Sequence, residues 1–588
     1  MRILLIHPLD TAEHGPWAGQ SWDLIVDLGR DGTRTYDAWR ARFHCGVENL
    51  NALRNGFEDF YRIRDLLGKG CGHLVDEYGL DWWEILSILM HEELEVLFLL
   101  RRWAQKIGSS DEVYVTRAGV HADFLRCISE ARVKVFRPLF GLQKGLGHYL
   151  HVFAKLSGSQ IVDVLGDKYD PGYQLRGRLA KKRAASTREV VLIPTAYVNV
   201  SRTGIAYAKT FPEENFLLVT TRSSGWIHDL PQNVETAWLS SYASIRDRGA
   251  DSAIMERRLH ALLSELCRIP EIEILKRLGR FESFAARFLH AMEVRDAWRN
   301  VLDGEPVKGV LCADDSNPYT RIPLLLARER GLASIACHHG ALDARYLFKH
   351  SYGGVIWVKG EMEQDYLVRR CKVPAERVET CAPIMEKTSS AGEQAGRRES
   401  RPHVLFISEL YEVNGGRGQG FYRDVLPPLV EMARAAGKEV VVKLHPAESR
   451  RERTTLLRRL LTAEQRKAVR VVSGPLSEEL LGKSWCAITI LSTVATECAI
   501  RGIPCFLCTW LESHPYEYVE QYLRFGVGIG LNGPGDIARI PEYVQQEFWS
   551  QSVVDNVYQL AARGRLRELL NSAQAGPAVA GARTRAAS

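Results

Sequence analysis

The fold is decided by residues 485–507, which read Trp-Cys-Ala-Ile-Thr-Ile-Leu-Ser-Thr-Val-Ala-Thr-Glu-Cys-Ala-Ile-Arg-Gly-Ile-Pro-Cys-Phe-Leu. An apolar run leads into the hydroxyl pair Ser492-Thr493, which is followed by a short helical pattern and a second apolar run. Short apolar runs that alternate with helical patterns are typical of parallel strands joined by crossover helices. The stretch therefore predicts a buried strand, a turn, a helix and a further strand of an α/β domain.

The same alternation continues outward through most of the chain, and it favours parallel α/β layers over a barrel of hairpins. We predict an accessory α/β domain over 1–170, a second domain over 188–385, a third over 402–565 and a disordered tail over 571–588. The predicted strands cover 3–7, 24–27, 112–116, 161–164, 190–194, 216–220, 309–312, 333–337, 404–408, 439–444, 469–473, 487–491 and 505–507.

Composition limits the class of protein. The 588 residues are 46% hydrophobic and 25% charged, as in ordinary soluble proteins, and the formal net charge is +6. That charge suits anionic small molecules or a membrane surface, and it does not indicate a nucleic acid as partner. The 12 cysteines show no disulfide framework, and the opening residues look like a first strand rather than a secretory leader. We therefore expect a cytoplasmic protein, either soluble or peripheral at the inner face of the membrane.

The hydroxyl pair of the opening stretch predicts an anion site. Ser492 and Thr493 stand where the helix is predicted to begin, and a helix N-terminus binds phosphate through its backbone N–H groups. Glu497 lies one turn further along, where a carboxylate can accept hydrogen bonds from ribose hydroxyls. Together these residues predict a nucleotide site and, by extension, an enzyme that uses a nucleotide sugar.

A second group of polar residues ends an earlier strand of the same predicted domain. Lys443 and His445 lie two residues apart and so share one face of the strand, while Pro446 stops the strand and fixes the turn. Basic groups at this point can stabilise the charge of a phosphate. The alternative is a simple strand-ending His-Pro dipeptide, but the Ser-Thr pair later in the domain favours a ligand site.

Acidic and histidine residues follow two neighbouring strands of the second domain. Asp314 and Asp315 come directly after one strand, and His338 and His339 close the next. A carboxylate or imidazole there can deprotonate an acceptor hydroxyl, whereas helix capping and side-chain packing are the structural alternatives. We expect no metal site, because adjacent histidines of a strand point in opposite directions and no third ligand is evident. A similar strand-end histidine, His7, has no partner motif in the sequence.

These residues together resemble GT-B glycosyltransferases of the bacterial surface or capsular polysaccharide type and, more distantly, UDP-GlcNAc 2-epimerases. The resemblance is carried by the strand–acid–helix–strand–His-Gly passage over 309–340 and by the His-Pro and Ser-Thr motifs at 445–446 and 492–493. It covers about 188–565 and implies two Rossmann-like domains that face each other across a cleft. The N-terminal α/β domain is extra to it.

The resemblance also implies roles for individual residues. A carboxylate of the second domain is expected to activate the acceptor hydroxyl. Basic and hydroxyl groups of the third domain are expected to hold the donor, so that neither a metal nor a cofactor is needed. The expected catalytic residues are Asp314, Asp315 and His339. The expected donor-binding residues are Lys443, His445, Pro446, Ser492, Thr493 and Glu497.

The predicted activity is transfer of a sugar from a CMP-, CDP- or UDP-linked donor to a glycan or lipid-linked acceptor in bacterial surface polysaccharide synthesis. The 2-epimerases carry a glutamate in the passage that corresponds to 338–340, where this chain has histidines, which favours transfer over epimerisation. Two alternatives stay open. One is a nucleotide-sugar 2-epimerase or hydrolase, which acts without an acceptor, and the other is a non-catalytic GT-B scaffold protein.

Overall fold

The computed structural model of the chain contains two compact units, each assembled from three separate stretches of sequence. One unit comprises Met1–Phe60, Leu94–Lys155 and Glu386–Tyr558, and the other comprises Tyr61–Glu93, Leu156–Met385 and Gln559–Ser588. The residues that the structure describes are 1–7, 10–28, 36–53, 56–117, 120–136, 184–222, 225–243, 249–277, 280–340, 344–384, 400–408, 417–445, 448–474, 476–511, 517–545 and 551–575.

The first unit begins with a 5-stranded parallel sheet in the order β3-β2-β1-β4-β5. β2 and β3 lie on one side of β1, and β4 and β5 lie on the other. The switch point of this sheet is therefore between β1 and β4. Apolar residues of β1, such as Leu4 and Ile6, pack with Trp22 and Trp39 in the core of this sheet. The strands are β1 (Arg2–Ile6), β2 (Leu24–Asp27), β3 (Gly46–Asn49), β4 (Glu112–Val115) and β5 (Arg132–Val135).

The second unit contains a 7-stranded parallel sheet in the order β12-β11-β10-β9-β6-β7-β8, with its switch point between β6 and β9. Every residue of β6 is buried, as expected for a central strand of a sheet covered on both faces. The strands are β6 (Val190–Thr195), β7 (Phe216–Thr220), β8 (Val234–Trp238), β9 (Val307–Cys312), β10 (Ala333–Ala336), β11 (Val355–Val358) and β12 (Val378–Thr380).

The first unit also contains a 6-stranded parallel sheet in the order β15-β14-β13-β16-β17-β18, with its switch point between β13 and β16. The stretch at 485–507 forms β16, a short helix and β17, as predicted. The strands are β13 (His403–Ile407), β14 (Glu439–Lys443), β15 (Val469–Val472), β16 (Ser484–Thr489), β17 (Cys505–Cys508) and β18 (Ile529–Leu531).

Helices connect the strands of all three sheets. No helix among the described residues combines the length and the apolar character that a membrane crossing requires. The α-helices run over Asp37–Phe43, Phe57–Gly68, Trp83–Ala104, Val120–Ile128, Val198–Thr210, Gly249–Leu266, Pro270–Arg277, Arg280–Gly304, Pro318–Glu329, Glu361–Asp365, Arg417–Ala435, Arg450–Leu460, Ala463–Arg466, Glu478–Gly482, Val494–Ile500, Tyr518–Arg524, Ile540–Gln545, Gln551–Val557 and Arg565–Ala575.

The α/β class and the Rossmann-like, doubly wound sheets are confirmed, and each predicted strand within the described residues is present. The predicted strand at 161–164 lies outside the described residues. The strands that were not predicted are β3, β5, β8, β11, β12 and β18, and all of these except β11 lie at a sheet edge. Edge strands are short and carry polar residues such as those of β3 and β5, so their apolar signal is weak.

The compact units differ from the predicted domains in how the chain is divided. Residues 61–93 belong with the 7-stranded sheet, and the N-terminal sheet shares a unit with the 6-stranded one. The helix Arg565–Ala575 belongs with the 7-stranded sheet too, and it extends into the predicted tail. The rest of that tail, 576–588, lies outside the described residues.

Candidate functional site

Polar side chains collect at the carboxyl edge of the 7-stranded sheet, beside its switch point. Tyr197 follows β6, Asp314 follows β9, and His338 and His339 follow β10. The parallel registers of these neighbouring strands align their carboxyl ends. The sheet order thus brings together residues that are far apart in sequence.

Asp314 is held by three hydrogen bonds. It is 3% exposed, and its carboxylate accepts from the Tyr197 hydroxyl at 2.5 Å, from Asn317 Nδ2 at 2.9 Å and from the Ser316 backbone N–H at 2.9 Å. Burial favours a higher pKa, but the charges of His339 and His338 and these hydrogen bonds lower the pKa of Asp314 to about 2. Asp314 is therefore an anion at neutral pH, which makes it a weak proton acceptor and a strong counter-charge for an imidazolium.

The helix that follows Asp314 is capped by another residue. Asn317 accepts a hydrogen bond from the backbone N–H of Thr320 at 3.3 Å, and Pro318 begins the helix. The Thr320 hydroxyl donates to the backbone carbonyl of Asp314. Helix capping, the structural alternative considered for this segment, is therefore the role of Asn317 rather than of either aspartate.

His338 and His339 lie side by side. Their ring centroids are 5.0 Å apart with an interplanar angle of 28°. The expectation that adjacent histidines diverge is wrong here, because β10 ends at Ala336 and the alternation of a strand does not reach them. His338 Nδ1 accepts from the Gly340 backbone N–H at 3.2 Å, and His339 Nε2 lies 3.4 Å from the Tyr197 hydroxyl.

These residues also supply the ligand types that a metal ion would need. One ligand atom from each of Asp314, His338 and His339 lies within 4.8 Å of the others, so the third ligand that the sequence did not reveal is Asp314. A carboxylate and two imidazoles suit a divalent transition metal. Hydrogen bonds already engage both Asp314 oxygens and Nδ1 of His338, so a metal would have to use the remaining lone pairs of the carboxylate and Nε2 of His338.

Asp315 has different surroundings from its neighbour in sequence. It is 1% exposed, with Lys349 Nζ 2.5 Å from Oδ1 and Arg321 Nη1 3.2 Å from Oδ2. Arg321 also pairs with Glu84 at 2.8 Å, so that two buried carboxylates balance two buried cations. Protonation of Asp315 would leave the cations uncompensated. These contacts support a structural role for Asp315 in place of the catalytic one expected from the sequence.

A second group of polar side chains occupies the carboxyl edge of the 6-stranded sheet. Ser408 follows β13, Lys443 ends β14, His445 lies just beyond it, and Ser492 follows β16. Burial and the charge of Lys443 lower the pKa of His445, which keeps this imidazole neutral at neutral pH. Positive charge for a phosphate would therefore come from Lys443. Pro446 lies outside the described residues.

Glu448 holds the turn that carries His445, and sequence reasoning did not identify it. Its side chain is 0% exposed, and it accepts from the His445 backbone N–H at 2.7 Å and from the Ser408 hydroxyl at 2.7 Å. Arg453 pairs with the same carboxylate at 2.7 Å. Burial raises the pKa of Glu448, against the effect of Arg453. The carboxylate fixes the ends of β13 and β14 relative to each other, and its only signal in the sequence is an acid three residues after His445.

The predicted hydroxyl pair lies at the start of the short helix after β16. Ser492 Oγ accepts from the Val494 backbone N–H at 3.3 Å, whereas the Thr493 side chain makes no capping hydrogen bond. The hydroxyl proton of Ser492 can thus be donated to a ligand. Glu497 lies in the first turn of this helix, 4.0 Å from Arg501 Nη1. These residues lie on one segment beside the switch point of the 6-stranded sheet.

Three solved structures show low similarity to this chain. Its sequence matches no protein-family model and no curated protein. It is similar to the wall teichoic acid polymerase TagF, with 10% identity over 72% of this chain and 97% of that one, at a TM-score of 0.38. It is similar to Anabaena HepE, solved with UDP, with 8% identity over 63% of this chain and 93% of that one, at a TM-score of 0.35. It is also similar to the calicheamicin glycosyltransferase CalG4, with 12% identity over 66% of this chain and 95% of that one, at a TM-score of 0.35. TM-scores this low support no conclusion on function, so the residues of this chain have to support it.

Proposed function

We propose that the chain is a glycosyltransferase that moves a sugar from a nucleotide-activated donor to a glycan or lipid-linked acceptor. The observation that carries the proposal is the cluster of Asp314, Tyr197 and His339 at the switch point of the 7-stranded sheet. An imidazole beside a buried anion is suited to accept a proton from an attacking hydroxyl, because the anion stabilises the imidazolium that forms. In this proposal the donor is CMP-, CDP- or UDP-linked, and the product belongs to a bacterial surface polysaccharide.

His339 is the proton acceptor in the proposed mechanism. It is less buried than Asp314, which is 3% exposed, and its ring lies against the ring of Tyr197. As the hydroxyl attacks the anomeric carbon of the donor, its proton passes to the imidazole, and the existing charge of Asp314 stabilises the imidazolium. Tyr197 keeps Asp314 in place through its hydrogen bond. His339 is thus the catalytic residue, and Asp314 and Tyr197 are positioning residues.

The donor in this proposal is bound by the polar edge of the 6-stranded sheet. Lys443 would supply positive charge to the leaving phosphate, while His445, Ser492 and Thr493 would donate hydrogen bonds to its oxygens. Glu497 would accept from the ribose hydroxyls. Charge on the leaving group is then met by protein groups, which supports a reaction without a metal or a cofactor.

Replacing Ser492 or His445 by alanine is expected to raise the KM for the donor by about 10–100-fold, because each change removes a hydrogen bond to a charged phosphate. The measurement is donor KM, together with thermal shifts produced by CMP, CDP, UDP and GDP. His403→Ala is the matched control, since His403 begins β13 at the opposite edge of the same sheet. Unchanged donor KM in both variants would contradict the assignment of this edge as the donor site.

Treatment with EDTA is expected to leave the transfer rate unchanged. The reason is that Lys443 and the hydrogen-bond donors of the 6-stranded sheet are proposed to meet the charge of the leaving phosphate without a metal. The measurement is transfer before and after EDTA, with Mg²⁺, Mn²⁺ or Zn²⁺ then added back, and metal analysis of the purified protein. Loss of activity that a metal restores would contradict the metal-independent reaction and would favour Asp314, His338 and His339 as the ligands.

The same assays separate the alternative functions. A 2-epimerase or hydrolase would act on the donor alone, and solvent hydrogen would appear at the sugar C2 in the epimerase case. A non-catalytic scaffold would show no thermal shift with any of the nucleotides.

A further inference from the structure

The 5-stranded sheet has a switch point of its own, and titratable side chains collect there. His7 follows β1, Thr116 and Arg117 follow β4, and these two strands are neighbours in the sheet. The chain continues from β1 to β2 on one side and from β4 to β5 on the other. The two connections therefore diverge beyond the strand ends, at the place where doubly wound sheets bind ligands.

A hydrogen-bonded relay links the two strand ends. The Thr116 hydroxyl donates to Asp10 Oδ2 at 2.5 Å and lies 3.0 Å from His7 Nδ1. Because the single proton of the hydroxyl goes to the carboxylate, His7 has to donate to Thr116 through Nδ1–H. The relay thus selects the tautomer of His7 in which Nε2 carries no proton.

Arg117 brings a cationic group to the same place, and His121 brings a second imidazole. Arg117 Nη2 lies 3.0 Å from Asp10 Oδ1, yet the arginine side chain is still 49% exposed. The ring centroids of His121 and His7 are 5.4 Å apart. The charges of Arg117 and Asp10 cancel, so two imidazolium groups would match the charge of a phosphate dianion.

A purely structural role explains only part of this cluster. Asp10 closes the turn after β1, because it accepts from the His7 backbone N–H at 2.8 Å and its own N–H donates back to the His7 carbonyl at 3.0 Å. That turn requires neither Arg117 nor His121, and it does not require an imidazole at position 7. Burial lowers the pKa of His7 to about 4, with Arg117 adding to the effect and Asp10 opposing it. His7 is therefore neutral at neutral pH until an anion favours its protonation.

We propose that His7, Thr116, Arg117 and His121 form a second ligand site, which binds a phosphate group. Arg117 and the protonated Nε2 of His7 donate to the phosphate oxygens, and His121 supplies the remaining charge. The phosphate belongs either to a soluble molecule, such as a sugar phosphate, or to a lipid headgroup, since both present the same chemistry. The proposal does not depend on the glycosyltransferase function, because none of these residues belongs to the sites described above.

The test is calorimetric titration of the full chain with inorganic phosphate and with a sugar 1-phosphate at neutral pH. The titrations use Ser492→Ala protein, so that phosphate binding at the proposed donor site is weakened. Arg117→Gln and His121→Gln are each expected to lower phosphate affinity by about tenfold or more, because each loses a charged hydrogen-bond donor. Arg126→Gln is the matched control, since Arg126 is an exposed arginine of the same helix as His121, paired with Asp123 at 2.6 Å.

Proton uptake gives a second, independent measurement. Titration in two buffers of different ionisation enthalpy should show that phosphate binding takes up protons, and His7→Gln should reduce this uptake. Binding to vesicles that contain phosphatidic acid, but not to phosphatidylcholine alone, would assign the phosphate to a lipid, and binding of the sugar phosphate alone would assign it to a soluble molecule.

The proposal is overturned if phosphate does not bind, or if Arg117→Gln and His121→Gln bind it as tightly as Arg126→Gln does. Circular dichroism of each variant establishes that the fold is retained, which the exposure of Arg117 favours. Loss of nucleotide binding in the Ser492→Ala and His445→Ala proteins, with phosphate binding retained, would separate this site from the proposed donor site.

Discussion

Alanine at position 339 is expected to lower kcat for sugar transfer by about 10²–10⁴-fold, the usual contribution of a general base. The reason is that the imidazole of His339 is the group beside Asp314 that can take up a proton, while Asp314 itself, with a pKa of about 2, stays ionised. The measurement is kcat and KM for donor and acceptor, and the KM for the donor should change little because the donor is proposed to bind at the 6-stranded sheet. His260→Ala is the matched control, since its side chain is 62% exposed on a helix.

Variants of the groups around His339 sharpen this test. Asp314→Asn keeps the shape of the side chain but removes the counter-charge, so it should lower kcat and shift the pH profile of the reaction. Tyr197→Phe removes one hydrogen bond to Asp314 and should have a smaller effect. A His339→Ala enzyme with normal kcat would show that another group accepts the proton.

Replacing Lys349 by methionine is expected to lower the free energy of unfolding by about 3–5 kcal/mol, because it leaves a buried carboxylate without one of its two cations. Lys349 is 1% exposed, and its Nζ lies 2.5 Å from Asp315 and 3.3 Å from the Ser316 hydroxyl. Asp315→Asn should be destabilising for the converse reason, since it leaves Lys349 as a buried cation with no carboxylate. The measurement is denaturant unfolding of each variant.

The double variant Lys349→Met with Asp315→Asn should recover much of the lost stability. Arg321 and Glu84 then still balance each other, and the new amide at position 315 would be neutral beside an apolar side chain. The double variant is also expected to retain sugar transfer. Loss of transfer in a folded, stable double variant would contradict the purely structural role of Asp315 and would make it a candidate base again.

The apolar runs of the sequence were sufficient to predict most of the strands but not their order. β6 and β9 are neighbours although β7, β8 and several helices lie between them along the chain. The pairing of β6 with β9 depends on how the crossover helices pack, and no local sequence pattern indicates it. The switch points, which place every candidate site, are therefore a property of the folded sheet.

The sequence analysis named Asp314, His338 and His339, but it did not name Tyr197 or Glu448, and it did not predict which side chains would be partners. Asp314 and Asp315 are adjacent in sequence and look equivalent there, yet one bonds to Tyr197 and the other to Lys349 and Arg321. The Tyr197–Asp314 hydrogen bond joins residues 117 positions apart. The expectation that His338 and His339 point in opposite directions is wrong for a local reason. β10 ends before His338, so the alternation of side chains along a strand does not apply to these two residues.

The path of the chain has a consequence for biosynthesis. The helix Arg565–Ala575 places Leu566 and Leu570, which are 0% and 1% exposed, in the same apolar core as β6 and β9. Arg565 anchors this helix to Glu379 at 2.6 Å. A nascent chain emerges from its N-terminus onward, so the core of this unit stays incomplete until residue 575 has left the ribosome. Until then the growing chain exposes the apolar surface that Leu566 and Leu570 cover in the folded unit.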